Sequence, residues 1–404
     1  MLQRFINLIR QWPIKQLLGL WILLRVLTST VALVPSILIR KVGADFSPLE
    51  LSVPVWPPSF PITTWLDRVI AEPWFRFDAK YYVWAITRGY SIEDGSASFH
   101  PLFPLLAKPI FYLTGFPMLG LLLVATLSTL ALYFCFYRLA RLDLDEKDAF
   151  RATLLLAVYP ASYVLYAPYT ESTFLLFSVL LFYFARQKRW ILAGLCGALA
   201  TLTRQQGLFL MVPLVIEFWS AKERKPLALS SVFLIPLAYG LWILYRTVAL
   251  ADSSPDFSSV NGFIYSTLLS QSAHRVVFAQ SFLFPLHALY LSFVKLWLDP
   301  NVPLITDLLL GACAIVIAVF GWRTLRNSYR IYILVLLFVS FGYHTGMQNS
   351  SPYMGLPRHL LLAFPLFIGI APRVTEFAMR RWFKIGLLGG LVLTLFHCLR
   401  TWVP

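Results

Sequence analysis

Apolar stretches recur along the whole chain, several of them as long as the roughly 20 residues that a helix needs to cross a bilayer core about 30 Å thick. They fall at about residues 16 to 38, 116 to 137, 152 to 168, 172 to 185, 228 to 249, 303 to 321, 331 to 346, 358 to 371 and 385 to 400. Two shorter stretches, 191 to 203 and 207 to 219, meet at Arg204-Gln205-Gln206 and read either as two short helices or as one interrupted helix. Of the 404 residues 58% are hydrophobic and 13% are charged, against about 25% charged in a soluble domain. Such a chain cannot present a water-soluble surface. The expectation is an all-α polytopic transmembrane bundle of about ten to twelve spans. Residues 1–404 read as one integral membrane domain, with no fixed-period repeat and no long polar linker.

The net charge of +15 is distributed as topology, not as a basic patch for nucleic acid. The loops at 4–15, 138–151, 186–189, 222–225, 323–330 and 373–384 hold 20 of the 34 Lys and Arg residues. By the positive-inside rule these loops face the cytoplasm. The first span follows Arg4, Arg10 and Lys15, is too long for a signal-peptide core and lacks a small-residue cleavage site, so it reads as a retained signal anchor. The opposite side then receives a structured first external loop at 39–115, the Tyr169-Thr170-Glu171 turn, the Arg204 junction, an external or re-entrant segment at 250–302, and the 347–357 loop. Residues 276 to 297 are apolar enough to span, but a crossing there would place the basic 323–330 loop outside. With Lys295, Trp297 and an internal Pro285, they read as re-entrant or interfacial. Cys135, Cys196, Cys313 and Cys398 lie in or beside apolar runs without CxxC spacing, which argues against a disulfide framework or a metal site.

Four groups of residues on the side that the basic loops avoid carry the chemistry. Asp78 stands among the aromatics Trp74, Phe75, Phe77, Tyr81 and Tyr82, shortly after the first span. A partly desolvated carboxylate there suits a general base, whereas Asp before Ala79 equally suits a helix N-cap, and both roles can coexist. Glu171 next to a span needs a partner or water, or it complements a helix N-terminus capped by Thr170. Arg204, between two apolar stretches, calls for an anion: a substrate phosphate, a lipid headgroup or Glu171. Arg358 and His359 open a span after an external loop, where they either hold a lipid phosphate or anchor the helix at the interface. His100, His274 and His344 are scattered, and none reads as a metal ligand. His100 alone, near Asp78 in sequence, reads as a possible site residue.

In these residues the chain resembles the PIG-V type of mannosyltransferase, the family of GPI mannosyltransferase 2 and its prokaryotic relatives. The resemblance covers residues about 74 to 115, 158 to 210 and 352 to 368. It rests on Phe77-Asp78, Gly89-Tyr90, Ser98-Phe99-His100-Pro101, Tyr169-Thr170-Glu171-Ser172, Thr203-Arg204-Gln205-Gln206-Gly207 and Arg358-His359. Phe77, His100 and His359 replace the Trp, Phe and Tyr of the family pattern. The resemblance implies a GT-C type bundle and an inverting glycosyltransferase. Such an enzyme takes a mannose-like sugar from a polyprenyl-phosphate donor to a lipid- or glycan-linked acceptor, on the outer face of a bacterial plasma membrane or the lumenal face of the ER membrane. Asp78 would be catalytic. Arg204, Arg358, Lys80 and His359 would bind the donor phosphate, while Glu171, Tyr169, His100 and Gln205 would contact substrate. No cofactor and no nucleic acid is implied, and metal dependence stays open. A transporter or flippase of a lipid-linked glycan is the alternative, but it would commonly carry matching broken helices in two halves, and only one candidate break is visible. An enzyme requires Asp78, Glu171, Arg204 and Arg358 to share one site.

Overall fold

The structure is a computed structural model that describes residues 13–42, 71–221, 229–264, 266–267, 280–345, 352–353 and 355–399. Residues 43–70 of the first external loop, the basic 222–225 loop and His274 lie outside the described residues. The fold is all-α and polytopic, as the apolar periodicity requires. Helices α1 (Ile14–Val42), α2 (Ala79–Thr87), α3 (Leu102–Thr114), α4 (Pro117–Ala140), α5 (Glu146–Ala157), α6 (Glu171–Arg186), α7 (Trp190–Thr203), α8 (Met211–Ser220) and α9 (Leu234–Ala249) form the first part of the chain. They are followed by α10 (Val260–Ile264), α11 (Pro285–Leu298), α12 (Val302–Gly321), α13 (Asn327–Gly342), α14 (Leu356–Leu361), α15 (Pro365–Ile370) and α16 (Glu376–Cys398). A short antiparallel pair, β1 (Gln280–Phe282) with β2 (Tyr343–Thr345), joins the segment before α11 to the end of α13.

Four described helical segments are long and apolar enough to cross a membrane: Ile14–Pro35, Pro117–Ala140, Ser230–Ala249 and Val302–Thr324. Shorter apolar helices at Leu102–Thr114, Trp190–Thr203 and Asn327–Gly342 pack among them. The protein is therefore an integral, multi-pass membrane protein. Two expected spans are not continuous. Residues 152 to 168 divide into α5 and a 3-10 turn at Pro160–Leu165, because Pro160 has no N–H to donate to the helix before it. Residues 358 to 371 divide into the six-residue helices α14 and α15 around Pro365 for the same reason. The 191–219 region resolves into α7 and α8, separated by an extended Arg204 and a 3-10 turn at Gln205–Leu210. Pro285 does not interrupt a helix; it stands in the first turn of α11, where the missing donor costs nothing.

Helix α6 is the central element, packed against α4 on one side and α7 on the other, with α9 behind α7. Its Phe174, Ser178 and Phe182 are fully buried, and Phe182 meets Tyr329, Tyr332 and Phe364 at ring distances of 5.1 to 5.6 Å. Helix α16 closes the bundle against α1 and the Pro160–Leu165 turn. It approaches closely because a Cβ on Gly386 would lie 2.1 Å from the carbonyl oxygen of Val158.

Four of the basic loops gather at one end of the bundle. Arg186 donates to Asp143 at 2.7 Å, and Tyr329 reaches the same carboxylate at 3.3 Å. Lys147 pairs with Glu376 at 2.6 Å, and Arg326 pairs with the buried Glu217 at 3.3 Å. Contacts among the 138–151, 186–189, 323–330 and 373–384 loops thus unite what the charge count assigned to one face. Helix α6, 16 residues long, carries Arg186 into this end and Glu171 to the other, about 22 Å away at 1.5 Å per residue.

Candidate active site

The end of α6 opposite the basic loops holds two carboxylates and two guanidiniums joined in one network. Asp78 arrives there by a strained turn. Phe77 adopts a left-handed backbone with φ of 47°, a conformation costing a side chain with a Cβ about 1–2 kcal/mol. The turn is braced by Arg76, whose guanidinium donates to the carbonyls of Glu72 and Phe75, each at 2.8 Å. Asp78 occupies the N-cap position of α2, but its carboxylate makes no capping hydrogen bond. It accepts instead from Nη1 of Arg358 at 2.8 Å. The capping alternative thus holds for position and not for the side chain.

Glu171 is the first residue of α6 and is wholly buried. Its Oε1 accepts from Nη1 of Arg204 at 2.7 Å and lies 3.8 Å from Nε of Arg358, so one carboxylate faces both cations. Its Oε2 has no hydrogen-bond partner among the described residues. Thr170 likewise stands at an N-cap without capping, and its hydroxyl accepts from Arg204 at 2.9 Å. Tyr169 places its ring beneath the Arg358 guanidinium, 5.3 Å from centroid to Cζ. Burial acts against the charge on Arg358, and the carboxylates of Asp78 and Glu171 beside it compensate that cost.

Two glycines of the site have a physical reason. Arg204 is extended, with φ of −153° and ψ of 146°, and the chain then folds back on the last turn of α7. A Cβ at Gly207 would meet Thr201 N at 2.3 Å, so only glycine permits that return. Gly355, with φ of +78°, starts α14 in the left-handed region, and a Cβ there would lie 2.5 Å from Nε of Arg358. Each glycine therefore seats an arginine of the network.

The remaining sequence candidates make contacts of their own. Lys80 lies over the rings of Tyr81 at 4.5 Å and Trp84 at 5.4 Å. Burial lowers its pKa, with Asp78 and Asp94 opposing. Buried His100 bonds through Nδ1 to the Thr201 carbonyl at 2.6 Å, stacks with Tyr239 and lies tilted to Trp242. Gln205 donates to the Tyr343 hydroxyl at 3.1 Å. His359 is buried in α14, one residue beyond Arg358. No group of three or more His, Cys, Asp or Glu suited to a metal ion occurs among the described residues, and all four cysteines are free.

Sequence reasoning passed over Thr170 as a partner of Arg204, and it passed over His397. The signal for His397 was present: an ionisable residue near the end of an apolar run is costly unless it has a purpose.

Residues 98–248 match the family profile of dolichyl-phosphate-mannose-protein mannosyltransferases. This stretch is rather more than a third of the chain. It contains His100, Tyr169, Glu171, Arg204 and Gln205, whereas Asp78 and Arg358 lie outside it. No curated protein matches the chain.

Proposed function

We propose that this protein is an inverting glycosyltransferase that moves a mannose-like sugar from a polyprenyl-phosphate donor to a lipid- or glycan-linked acceptor on the extracytoplasmic face. The reading is carried by the network of Asp78, Arg358, Glu171 and Arg204 at the end away from the basic loops. The mannosyltransferase family match over 98–248 supports it, and the PIG-V motifs supply the finer form of the same reading.

In this mechanism the acceptor oxygen attacks the anomeric carbon while the bond from that carbon to the donor phosphate oxygen breaks. The acceptor proton passes to Asp78, which acts as general base. The departing lipid phosphate keeps the bonding electrons, and Arg204 and Arg358 balance its charge, with Lys80 and His359 as further donors. A phosphate held in this way leaves without a separate general acid or a covalent enzyme intermediate. Tyr169, Glu171, His100 and Gln205 complete the substrate surroundings. Glu171 keeps both guanidiniums aimed at one place, which is the preorganisation that electrostatic stabilisation of a leaving group needs.

The test is Asp78→Asn in membranes supplied with labelled polyprenyl-phosphate mannose and a glycan acceptor library. Transfer is lost while the protein still accumulates, folded, in the membrane. Near-normal transfer by the variant removes Asp78 as the base.

A further inference from the structure

The C-terminal helix carries an ionisable side chain that this chemistry does not use. His397 is wholly buried in the last turn of α16, and neither ring nitrogen has a hydrogen-bond partner among the described residues. Four aromatic rings enclose it: Phe77 at 5.4 Å, Tyr163 and Tyr169 at 5.6 Å each, and Trp74 at 6.2 Å. Two of these rings are the direct supports of the Asp78–Arg358 pair. Phe77 is the left-handed residue that turns the chain into Asp78, and Tyr169 carries the Arg358 guanidinium on its ring. On the far side, Trp74 carries Arg25 of α1 at 5.8 Å, and Arg25 also donates to the Tyr166 carbonyl at 2.7 Å. A column therefore runs from Arg25 through Trp74, His397 and Tyr169 to Arg358, with Phe77 against its centre.

The helix is built to deliver this ring. Gly386, Gly390, Leu393 and His397 follow at intervals of four, three and four residues and so share one face of α16. Gly386 lets that face descend onto the Val158 backbone, and a Cβ on Gly389 would meet Pro160 at 3.4 Å. An imidazole left without hydrogen bonds in such a place lowers stability relative to an apolar ring. Two of its four ring contacts, those with Phe77 and Tyr169, lead to the site.

We propose that His397 is a positioning residue for the Asp78–Arg358 pair. Its ring wedges Phe77 and Tyr169 apart, so that the carboxylate and the guanidinium are held in register by the C-terminal helix. The inference rests on the glycosyl-transfer reading of the site, because positioning has a kinetic consequence only if Asp78 and Arg358 act on substrate.

The experiment compares His397→Ala and His397→Phe in the full chain, reading kcat and donor KM with polyprenyl-phosphate mannose, together with thermal unfolding. His397→Ala lowers kcat about 10- to 100-fold with donor KM changed less than about threefold, as expected for lost alignment rather than lost binding. His397→Phe restores the ring and brings kcat back to within about threefold of the parent. In a double-mutant cycle, the Tm shifts of His397→Ala and Arg358→Gln are non-additive, since both act on one unit. Should His397→Ala fail to accumulate, His397→Leu replaces it in both measurements. Parental kcat in the truncated variant, a phenylalanine variant as impaired as the alanine one, or additive Tm shifts would each overturn the proposal. If the parent protein itself transfers no sugar, the functional reading fails alone, and the thermal cycle still reports whether His397 supports the pair.

Discussion

Gly355→Ala tests the site through one methyl group. The added Cβ would lie 2.5 Å from Nε of Arg358 and 3.2 Å from its Cδ and Cγ. Ordinary contact begins at 3.4 Å, so Arg358 must retreat by about 0.9 Å. Its bond to Asp78 is 2.8 Å long, and a retreat of that size breaks it or drags the carboxylate along. A misplacement of about 1 Å at reacting groups costs about 100-fold in rate, which corresponds to about 2.7 kcal/mol of barrier. The left-handed backbone at φ of +78° adds a separate stability loss, about 1–2 kcal/mol for alanine. Gly115 separates the two effects. It has φ of +73° and nothing within 4 Å of an added Cβ, so Gly115→Ala carries the backbone cost without the collision. Both variants would be measured for thermal unfolding and for mannose transfer per folded molecule. Both variants lose Tm, Gly355→Ala the more because the Asp78–Arg358 pair is also disturbed, and transfer is lost only in Gly355→Ala. Equal transfer by the two variants would refute the claim that Gly355 seats Arg358 for chemistry.

Arg204→Ala leaves the buried Glu171 without its closest cation, and a destabilisation of about 3–5 kcal/mol is expected in chemical denaturation. Adding Glu171→Gln to that variant should recover part of the loss; no recovery would mean that the pair is not the source. Gly207→Ala should reduce both Tm and donor use, because its Cβ collides with Thr201 backbone; an unchanged donor KM would detach the turn from the site. Arg186→Ala, at the basic end, should lower stability, because its ion pair with Asp143 is largely buried. Its kcat should match the parent, and a large kcat loss would contradict the separation of the two ends.

The sequence made the ends of the bundle legible because charge is costly in lipid and sorts itself into loops. Arg204 with Glu171 was already one of three readings, since the two residues flank neighbouring spans 33 positions apart. Asp78 and Arg358 were expected to share one site, but their direct ion pair was not legible, as nothing local links the two parts of the chain that the bundle brings together. The broken helices at Pro160 and Pro365 were misjudged for a related reason. Both regions are continuously apolar, and hydropathy alone does not register a missing N–H inside an apolar run. An ionisable residue in an apolar run marks His397 in the sequence, but its enclosure by four aromatic rings belongs to tertiary structure.

Helix α6 has a consequence beyond packing, because it is bonded at both tips: Glu171 to Arg204, and Arg186 to Asp143. Its two ends are therefore locked in angular phase as well as in length. Inserting one residue rotates one tip by about 100° and advances it by about 1.5 Å, so one of the two bonds has to fail. Inserting seven returns the rotation to within about 20° but lengthens the helix by about 10 Å. The helix thus works as a gauge block, fixing how far the reacting end stands from the basic end and in which direction each one points.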